Sequence, residues 1–359
     1  MSREAMLYER QPEGKVRCNL CSRRCLIPEG GLGVCAARKN VKVKLLTLSY
    51  ARACSVNVDP IEKKPLFHFN PGSQVLSVSS PFCNFFCRFC CNWIISQQRS
   101  TAQTSKMPPE SVVNMAKKLH CTGVSYTYTE PTTFFEWAYD TAKLAHECSM
   151  FNTFVTNGYL TPEAVDMISP YLDAATVDFK GAGNPIFYKE VMRVPSVEPI
   201  YQCLKAMKRN NIHLEVTNLI VPRTGDSEEK LLELARWIIG NLGEDTPMHL
   251  LRFFPSADMV EVEETPAASV EKARKICYEA GLRYVYTGNI PCLDGENTRC
   301  PNCQELLVER HDFNITKWRL RDNMTCPKCG IKISIKGKYY GLLIARRFYS
   351  MLHLFNMRK

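Results

Sequence analysis

The segment Cys83-Asn84-Phe85-Phe86-Cys87-Arg88-Phe89-Cys90 puts three thiols on one short stretch. A fold that uses them must present that stretch as a loop with its sulfurs facing one centre. Three thiolates can hold three irons of a 4Fe-4S cube and leave the fourth iron open to an exogenous ligand, which a cluster held by four cysteines cannot offer. Cys91 follows directly and could compete as a ligand. The plain alternative is a chance group of buried cysteines acting as small hydrophobes.

The chain has 359 residues, of which 45% are hydrophobic. That is enough to bury a large core in one main domain with small appendages, and it excludes a disordered polymer on composition. No run approaches the roughly 18 uninterrupted apolar residues of a membrane span, and MSREAMLYER lacks the apolar centre of a signal peptide. A cytoplasmic protein without a transmembrane segment is expected. Eighteen cysteines in such a chain, grouped at metal-ligand spacings, read as metal sites rather than disulfides. Cys54, Cys91, Cys121, Cys148, Cys203, Cys277 and Cys292 fall outside the obvious groups. The formal net charge of +10 counts thiols as neutral. Two four-thiolate zinc sites and one three-thiolate cluster would bring it to about +5, so nucleic acid is the weaker reading of the charge.

Four regions follow. In residues 1–45, Cys18, Cys21, Cys25 and Cys35 form a cysteine-rich metal-binding extension, and Gly30, Gly31 and Gly33 let the chain fold back to deliver Cys35. A zinc knuckle is the first reading, a second iron-sulfur cluster the alternative, and no metal the third. In residues 46–295, short apolar runs alternate with amphipathic stretches. Strands are expected over Gln74 to Val78, Gly123 to Thr127, Asn152 to Thr156, Ala175 to Asp178, His213 to Ile220, His249 to Phe253 and Arg283 to Tyr286. Helices are expected over Pro109 to His120, Thr133 to Cys148, Pro199 to Asn210, Glu228 to Gly240 and Ala268 to Ala280. Such alternation predicts an α/β fold, a parallel sheet wound by helices into a partial (β/α) barrel with its chemistry at the C-terminal strand ends. In residues 296–337, Cys300-Pro301-Asn302-Cys303 and Cys326-Pro327-Lys328-Cys329 give the four thiolates of a zinc ribbon, with a redox pair as the competitor. Residues 338–359 read as a basic amphipathic tail, either docked on the domain or touching a membrane or partner.

With these motifs assembled, the chain resembles the radical S-adenosylmethionine (SAM) enzymes of the AmmeMemoRadiSam system, relatives of the activating enzymes of glycyl-radical proteins. The resemblance covers nearly the whole chain. It rests on Cys18-x2-Cys21-x3-Cys25, on Asp59 to Phe69, on Cys83 to Cys90 with Asn92-Trp93, and on the terminal ribbon. It extends to Tyr128-Thr129-Glu130-Pro131, Thr156-Asn157-Gly158, Val177-Asp178-Phe179-Lys180, Thr217 to Pro222 and Phe253-Phe254-Pro255. The resemblance implies a 4Fe-4S cluster on Cys83, Cys87 and Cys90, with SAM chelating the open iron. Phe89 would contact adenine, Thr129 and Glu130 the SAM ammonium, and Lys180 the carboxylate. Asp178 would take the ribose or hold the lysine, and Asn157 and Asn218 would add polar contacts. His68 and Glu62 are candidates for the substrate side. Five positions depart from the relatives: Phe82, Tyr128 and Thr129 stand where they carry glycine, Cys91 where they carry glutamine, and Val155 where they carry aspartate.

The implied reaction is one-electron reductive cleavage of SAM to a 5′-deoxyadenosyl radical that abstracts hydrogen from an unidentified substrate. Implied cofactors are the 4Fe-4S cluster, SAM and zinc. Implied partners are a low-potential electron donor and Memo-like and AMMECR-like proteins. The main rival is an activating enzyme that installs a glycyl radical on a partner protein. A non-catalytic zinc-ribbon protein that binds nucleic acid or protein is the rival from another class, and it leaves Cys83, Cys87, Cys90 and Glu130 unexplained.

Overall fold

The computed structural model describes residues 3–97, 103–290 and 294–341; Cys292 and the tail from 342 onward lie outside the described residues. Runs dense in β-branched and apolar side chains become the strands of one eight-stranded sheet: β1 (Ser55–Pro60), β2 (Gln74–Ser79), β3 (Gly123–Tyr126), β4 (Phe151–Thr156), β5 (Ala174–Lys180), β6 (His213–Ile220), β7 (Met248–Arg252) and β8 (Val285–Gly288). The spatial order is the chain order, β1 through β8. Strands β2 to β8 are parallel, and β1 lies antiparallel on the β2 edge. Among the described residues β1 and β8 do not pair, so the mixed sheet shows no closure there, which the expected partial barrel does not require.

Parallel neighbours need a crossover, and helices supply it: α1 (Pro109–Lys118), α2 (Phe135–Glu147), α3 (Pro162–Ile168), α4 (Glu198–Arg209), α5 (Glu228–Asn241) and α6 (Ala267–Ala280). Their starts follow local chemistry. Proline stands in the first turn of α1, α3 and α4, where its missing N–H costs nothing. Thr161 and Ser227 cap α3 and α5 through their hydroxyls, and α6 stops at Gly281 in the left-handed region. Helix α4 turns Ile200, Cys203, Leu204 and Met207 into the core. Strand β3 is buried along its whole length, as a sheet covered on both faces requires. Cys121, Cys203 and Cys277 are buried as expected of small hydrophobes.

The N-terminal region forms two small antiparallel sheets, Tyr8–Arg10 with Val16–Cys18 and Leu26–Ile27, and Arg3–Glu4 with Lys44–Thr47 and Arg38–Val41. A buried ion pair fastens it to α2: Arg38 Nη1 lies 2.6 Å from Glu136 Oε2, and Glu136 Oε1 accepts from Met6 N at 2.8 Å. The C-terminal region forms a three-stranded antiparallel sheet, β9 (Thr298–Arg299), β10 (Leu306–His311) and β11 (Asn314–Trp318). It docks through Phe67 and His68. Arg310 donates to Phe67 O at 3.0 Å with its guanidinium 4.3 Å over the Phe67 ring, and His68 pairs with Ser334 O at 2.9 Å and Tyr286 Oη at 2.5 Å.

Beneath this dock lies Glu215, fully buried on β6. Its carboxylate accepts from Phe67 N at 3.0 Å and His68 N at 2.7 Å, and pairs with His213 Nε2 at 3.1 Å and His249 Nε2 at 2.7 Å. Burial opposes its ionisation, yet the two imidazoles hold Glu215 well below the usual carboxylate range. Burial also pushes His68 down to about 4. Both groups have folded pKa values below the unfolded ones of about 4.3 and 6.5. Their stabilisation is therefore in place above those values and lost as pH falls, first through His68 from about 6.5 and then through Glu215. Glu215→Gln is expected to cost about 3–5 kcal/mol in urea unfolding at pH 7 and to flatten the loss of stability below about pH 4.3. A variant as stable as the parent would show that the dock does not depend on this carboxylate.

Candidate active site

In a sheet of this kind the C-terminal strand ends collect at one edge. The loop after β2 carries Cys83, Cys87 and Cys90, and they line a cavity of about 510 Å³ with residues following β3, β4, β5 and β7. Backbone hydrogen bonds pin the loop: Phe86 N to Met192 O at 3.3 Å, Arg88 N to Val191 O at 3.0 Å and Asp258 N to Arg88 O at 2.7 Å. Cys83 Sγ accepts from Phe85 N at 3.4 Å, and Cys90 Sγ lies 3.3 Å from Ser96 Oγ. Burial, with the neighbouring thiols, pushes Cys83 well up and Cys87 to about 12. Such thiols stay protonated at neutral pH until a metal displaces the proton. The exposed Cys91 lines the same cavity. Phe82, where the relatives carry glycine, sits at φ +90°. It occupies glycine's conformation, with its ring buried against Ala36 and Ala37.

Glu130 follows β3 and is buried. Its Oε1 accepts from Thr132 N at 3.1 Å, Thr132 Oγ1 at 2.5 Å and Thr156 Oγ1 at 2.7 Å, and its Oε2 from Asn157 N at 2.8 Å. The carboxylate thus joins the ends of β3 and β4. Burial outweighs these donors and raises its pKa. Thr129 donates to Ser80 O at 2.6 Å. The Asn157 side chain donates to Asn84 Oδ1 at 2.7 Å and lies 3.9 Å from Cys83 Sγ. Gly158 turns the chain at φ +71°, where an added Cβ would come within 2.7 Å of Val177.

At the end of β5, Lys180 Nζ lies 3.2 Å from Asp178 Oδ2, and Thr217 donates to Asp178 Oδ1. Both line the cavity, as does Phe89, which stacks on Phe187 at 5.9 Å and meets Phe253 edge-on at 6.4 Å. Asn218 is not brought to this group. Its Oδ1 accepts from Ala182 N at 2.7 Å, and it lines a separate cavity of about 220 Å³. Alternation along β6 gives the main cavity Leu219 instead.

Glu62 and His68 also face elsewhere: Glu62 accepts from Gly72 N at 2.8 Å and His68 belongs to the dock described above. The same run instead sends Lys63 and Lys64 to the cavity. Lys64 Nζ lies 2.7 Å from Asp59 Oδ2 and 4.6 Å over the Tyr128 ring, and Tyr128 Oη donates to Asp59. Burial lowers Lys64 to about 8, with Asp59 opposing. Sequence reasoning missed this trio; Asp59 and Lys64 five residues apart in the same run were the available signal.

Away from the cavity, Cys300, Cys303, Cys326 and Cys329 bring their sulfurs within 4.8 Å of one another. The Cys300–Cys329 and Cys303–Cys326 separations are 3.5 and 3.7 Å. Tetrahedral coordination with metal–sulfur bonds of about 2.3 Å needs edges of about 3.8 Å, so the donor set fits a single ion.

Asn157→Ala removes the amide that anchors Asn84 and is expected to cost about 1–2 kcal/mol of stability. Adding Asn84→Ala should then cost little more than the single change. Additive thermal-denaturation losses would mean that the two side chains are not coupled.

The radical SAM superfamily profile matches residues 77–238, which span β2 to α5. MJ0808, an uncharacterized protein of Methanocaldococcus jannaschii, is 44% identical over 335 residues, covering 93% of this chain and 99% of that protein. Among solved structures, a radical SAM methyltransferase from Sphaerobacter thermophilus aligns with a TM-score of 0.46 at 17% identity, over 60% of this chain and 66% of that one. SuiB of Streptococcus suis bound to S-adenosylmethionine gives 0.48 at 14%, over 60% and 52%. A domain of pyruvate-formate lyase-activating enzyme from Bacteroides vulgatus gives 0.41 at 15%, over 46% and 99%. With the profile match lying across the cysteine loop and the strand ends that face it, residues 77–238 carry a radical SAM domain, and the chain belongs to one family with MJ0808.

Proposed function

We propose that the protein is a radical SAM enzyme whose Cys83, Cys87 and Cys90 hold a 4Fe-4S cluster and whose cavity binds SAM beside it. The observation that carries this reading is the gathering of the three thiols with Glu130, Asp178 and Lys180 around one cavity of about 510 Å³. Bound there, the cluster and SAM would supply one-electron reductive cleavage to methionine and a 5′-deoxyadenosyl radical able to abstract hydrogen from a substrate.

The chain's own groups do the rest. Glu130, short of a cation in its buried setting, receives the SAM ammonium through its less occupied Oε2. Lys180, held by Asp178, takes the carboxylate, and Asp178 in turn is fixed by Thr217. Phe89 and Phe253 offer apolar faces for adenine and exclude water. Lys63, Lys64 and Tyr128 form a polar wall that these SAM contacts do not use, and we assign it to the substrate. Cys300, Cys303, Cys326 and Cys329 are assigned to a structural zinc ion. A low-potential donor supplies the electron, and the sequence resemblance supports a role alongside Memo-like and AMMECR-like proteins.

Anaerobic reconstitution with iron and sulfide, then dithionite and SAM, should yield 5′-deoxyadenosine in the wild type and none above background in Cys87→Ala. Equal yields from the two proteins, with the wild-type cluster intact, would overturn the assignment. Lys180→Met should weaken SAM binding about tenfold or more, the loss of one charge-assisted contact.

A further inference from the structure

Asp59, at the end of β1, has both carboxylate oxygens taken. Oδ1 accepts from Lys63 Nζ at 2.9 Å, Oδ2 from Lys64 Nζ at 2.7 Å, and Tyr128 Oη adds a third donor. The single turn Ile61–Lys63 that follows β1 brings both lysines back over the same carboxylate. Lys63, Lys64 and Tyr128 line the active-site cavity, whereas Asp59 does not appear in its lining among the described residues. A ligand entering the cavity therefore meets two ammonium groups, with their shared carboxylate set back from it. One anion answers two cations, so this wall keeps a surplus of one positive charge.

The two lysines are not alike. The Lys63 side chain is 48% exposed and the Lys64 side chain 2%. An ammonium carries three donors. Lys64 spends one on Asp59, lies 4.6 Å over the Tyr128 ring and, among the described residues, makes no other hydrogen bond. A buried cation with donors unspent costs free energy until something answers them. The backbone beneath it is also held at a cost. Tyr128 stands at φ +64°, a conformation in which a side chain persists only where its surroundings over-determine it, and here those surroundings are Asp59 and Lys64. Tyr128 O accepts from Asn92 Nδ2 at 2.8 Å, and Thr129 and Glu130 follow in the chain, so the wall adjoins the thiol loop and the carboxylate proposed for the SAM ammonium. The other cations of the lining, Arg252 and Lys180, have partners of their own in Glu264 at 2.5 Å and Asp178 at 3.2 Å.

We propose that Lys63 and Lys64 bind a carboxylate or phosphate group of the substrate, which makes the substrate class an organic anion; the inference rests on the active-site reading above. Such a group offers acceptors to both lysines at once. It restores the charge balance around Asp59 and uses the donors that Lys64 holds spare. A neutral group would leave the surplus charge unanswered, and a cationic one would add to it. The anion serves as an anchor: it fixes the substrate by a group that does not react and leaves a carbon of the same molecule to the radical.

The test titrates the anaerobically reconstituted full chain, with and without SAM and in the absence of reductant, with succinate, inorganic phosphate and the uncharged succinamide. At least one of the two anions should bind and succinamide should not; the tighter anion identifies the group as carboxylate or phosphate. Lys64→Met should weaken that anion about tenfold or more, the loss of one charge-assisted contact, while SAM affinity holds. Binding of neither anion, equal binding of succinate and succinamide, or an anion affinity unchanged in Lys64→Met would overturn the proposal. So would a loss of SAM affinity in Lys64→Met, which would give this lysine to the cofactor instead. Should Lys64→Met fold poorly, the more exposed Lys63 decides: weaker anion binding in Lys63→Met supports the site, and unchanged binding refutes it. Failure of 5′-deoxyadenosine formation would count against the active-site reading alone, because anion binding is measured without turnover.

Discussion

A parallel strand cannot pair with its successor until the chain has crossed back to the sheet's far edge, so every loop that leaves a strand's C-terminal end emerges on the same side. Seven parallel strands in strict chain order apply that constraint from β2 to β8. The thiol loop, Glu130, Asn157 and the Asp178–Lys180 pair are scattered over about a hundred residues, yet they meet because each follows or ends a strand. The other edge has the opposite task. There Glu215, His213, His249 and His68 form a buried polar layer that binds the C-terminal sheet to the strands.

The site's shape depends on backbone conformations that its residues do not favour. Phe82 and Tyr128 both adopt positive φ, +90° and +64°, where a side chain costs about 1 kcal/mol or more relative to glycine. Each has a compensating contact. Phe82 buries its ring against the N-terminal region, and Tyr128 bonds Asp59 and covers the Lys64 ammonium. The glycines expected in these turns have been exchanged for side chains that attach the turns to their surroundings. A loop that presents three sulfurs to one cavity gains from that attachment, since a freer backbone would have more entropy to lose on holding a ligand there.

Much of this was legible beforehand, for physical reasons that differ by residue. The seven expected strands all formed, with ends moved by a residue or two, because buried parallel strands are written as short apolar runs. That Cys83, Cys87 and Cys90 share one loop facing one cavity was legible because their spacing is local. Asn218 was misplaced because a motif fixes the strand but not which face a given residue takes; a shift of one position hands the cavity Leu219. Glu62 and His68 were set on the substrate side because a polar residue in an apolar run looks functional, whereas these satisfy buried backbone groups. β1 escaped notice because Ser55-Val56-Asn57-Val58-Asp59-Pro60 alternates like an edge strand while ending in a proline. The N-terminal spacing could not distinguish zinc from a cluster, since both begin with a C-x2-C turn.

Two buried glutamates show how the two edges differ in kind. Glu215 receives two backbone N–H groups and two imidazoles, and its pKa falls well below the ordinary carboxylate range; its charge is fully answered from within the protein. Glu130 receives only hydroxyls and amides, and its pKa rises, because neutral donors in a dry setting do not offset the loss of water around a charge. Within the dock, Glu215 has its counter-charges in place. The active-site edge differs: its carboxylate stays short of a cation, and an ammonium arriving at Oε2 would lower the energy of the charged form. An unanswered buried charge is tolerated where a ligand supplies the answer, and the cavity beside Cys83 is where this fold leaves one.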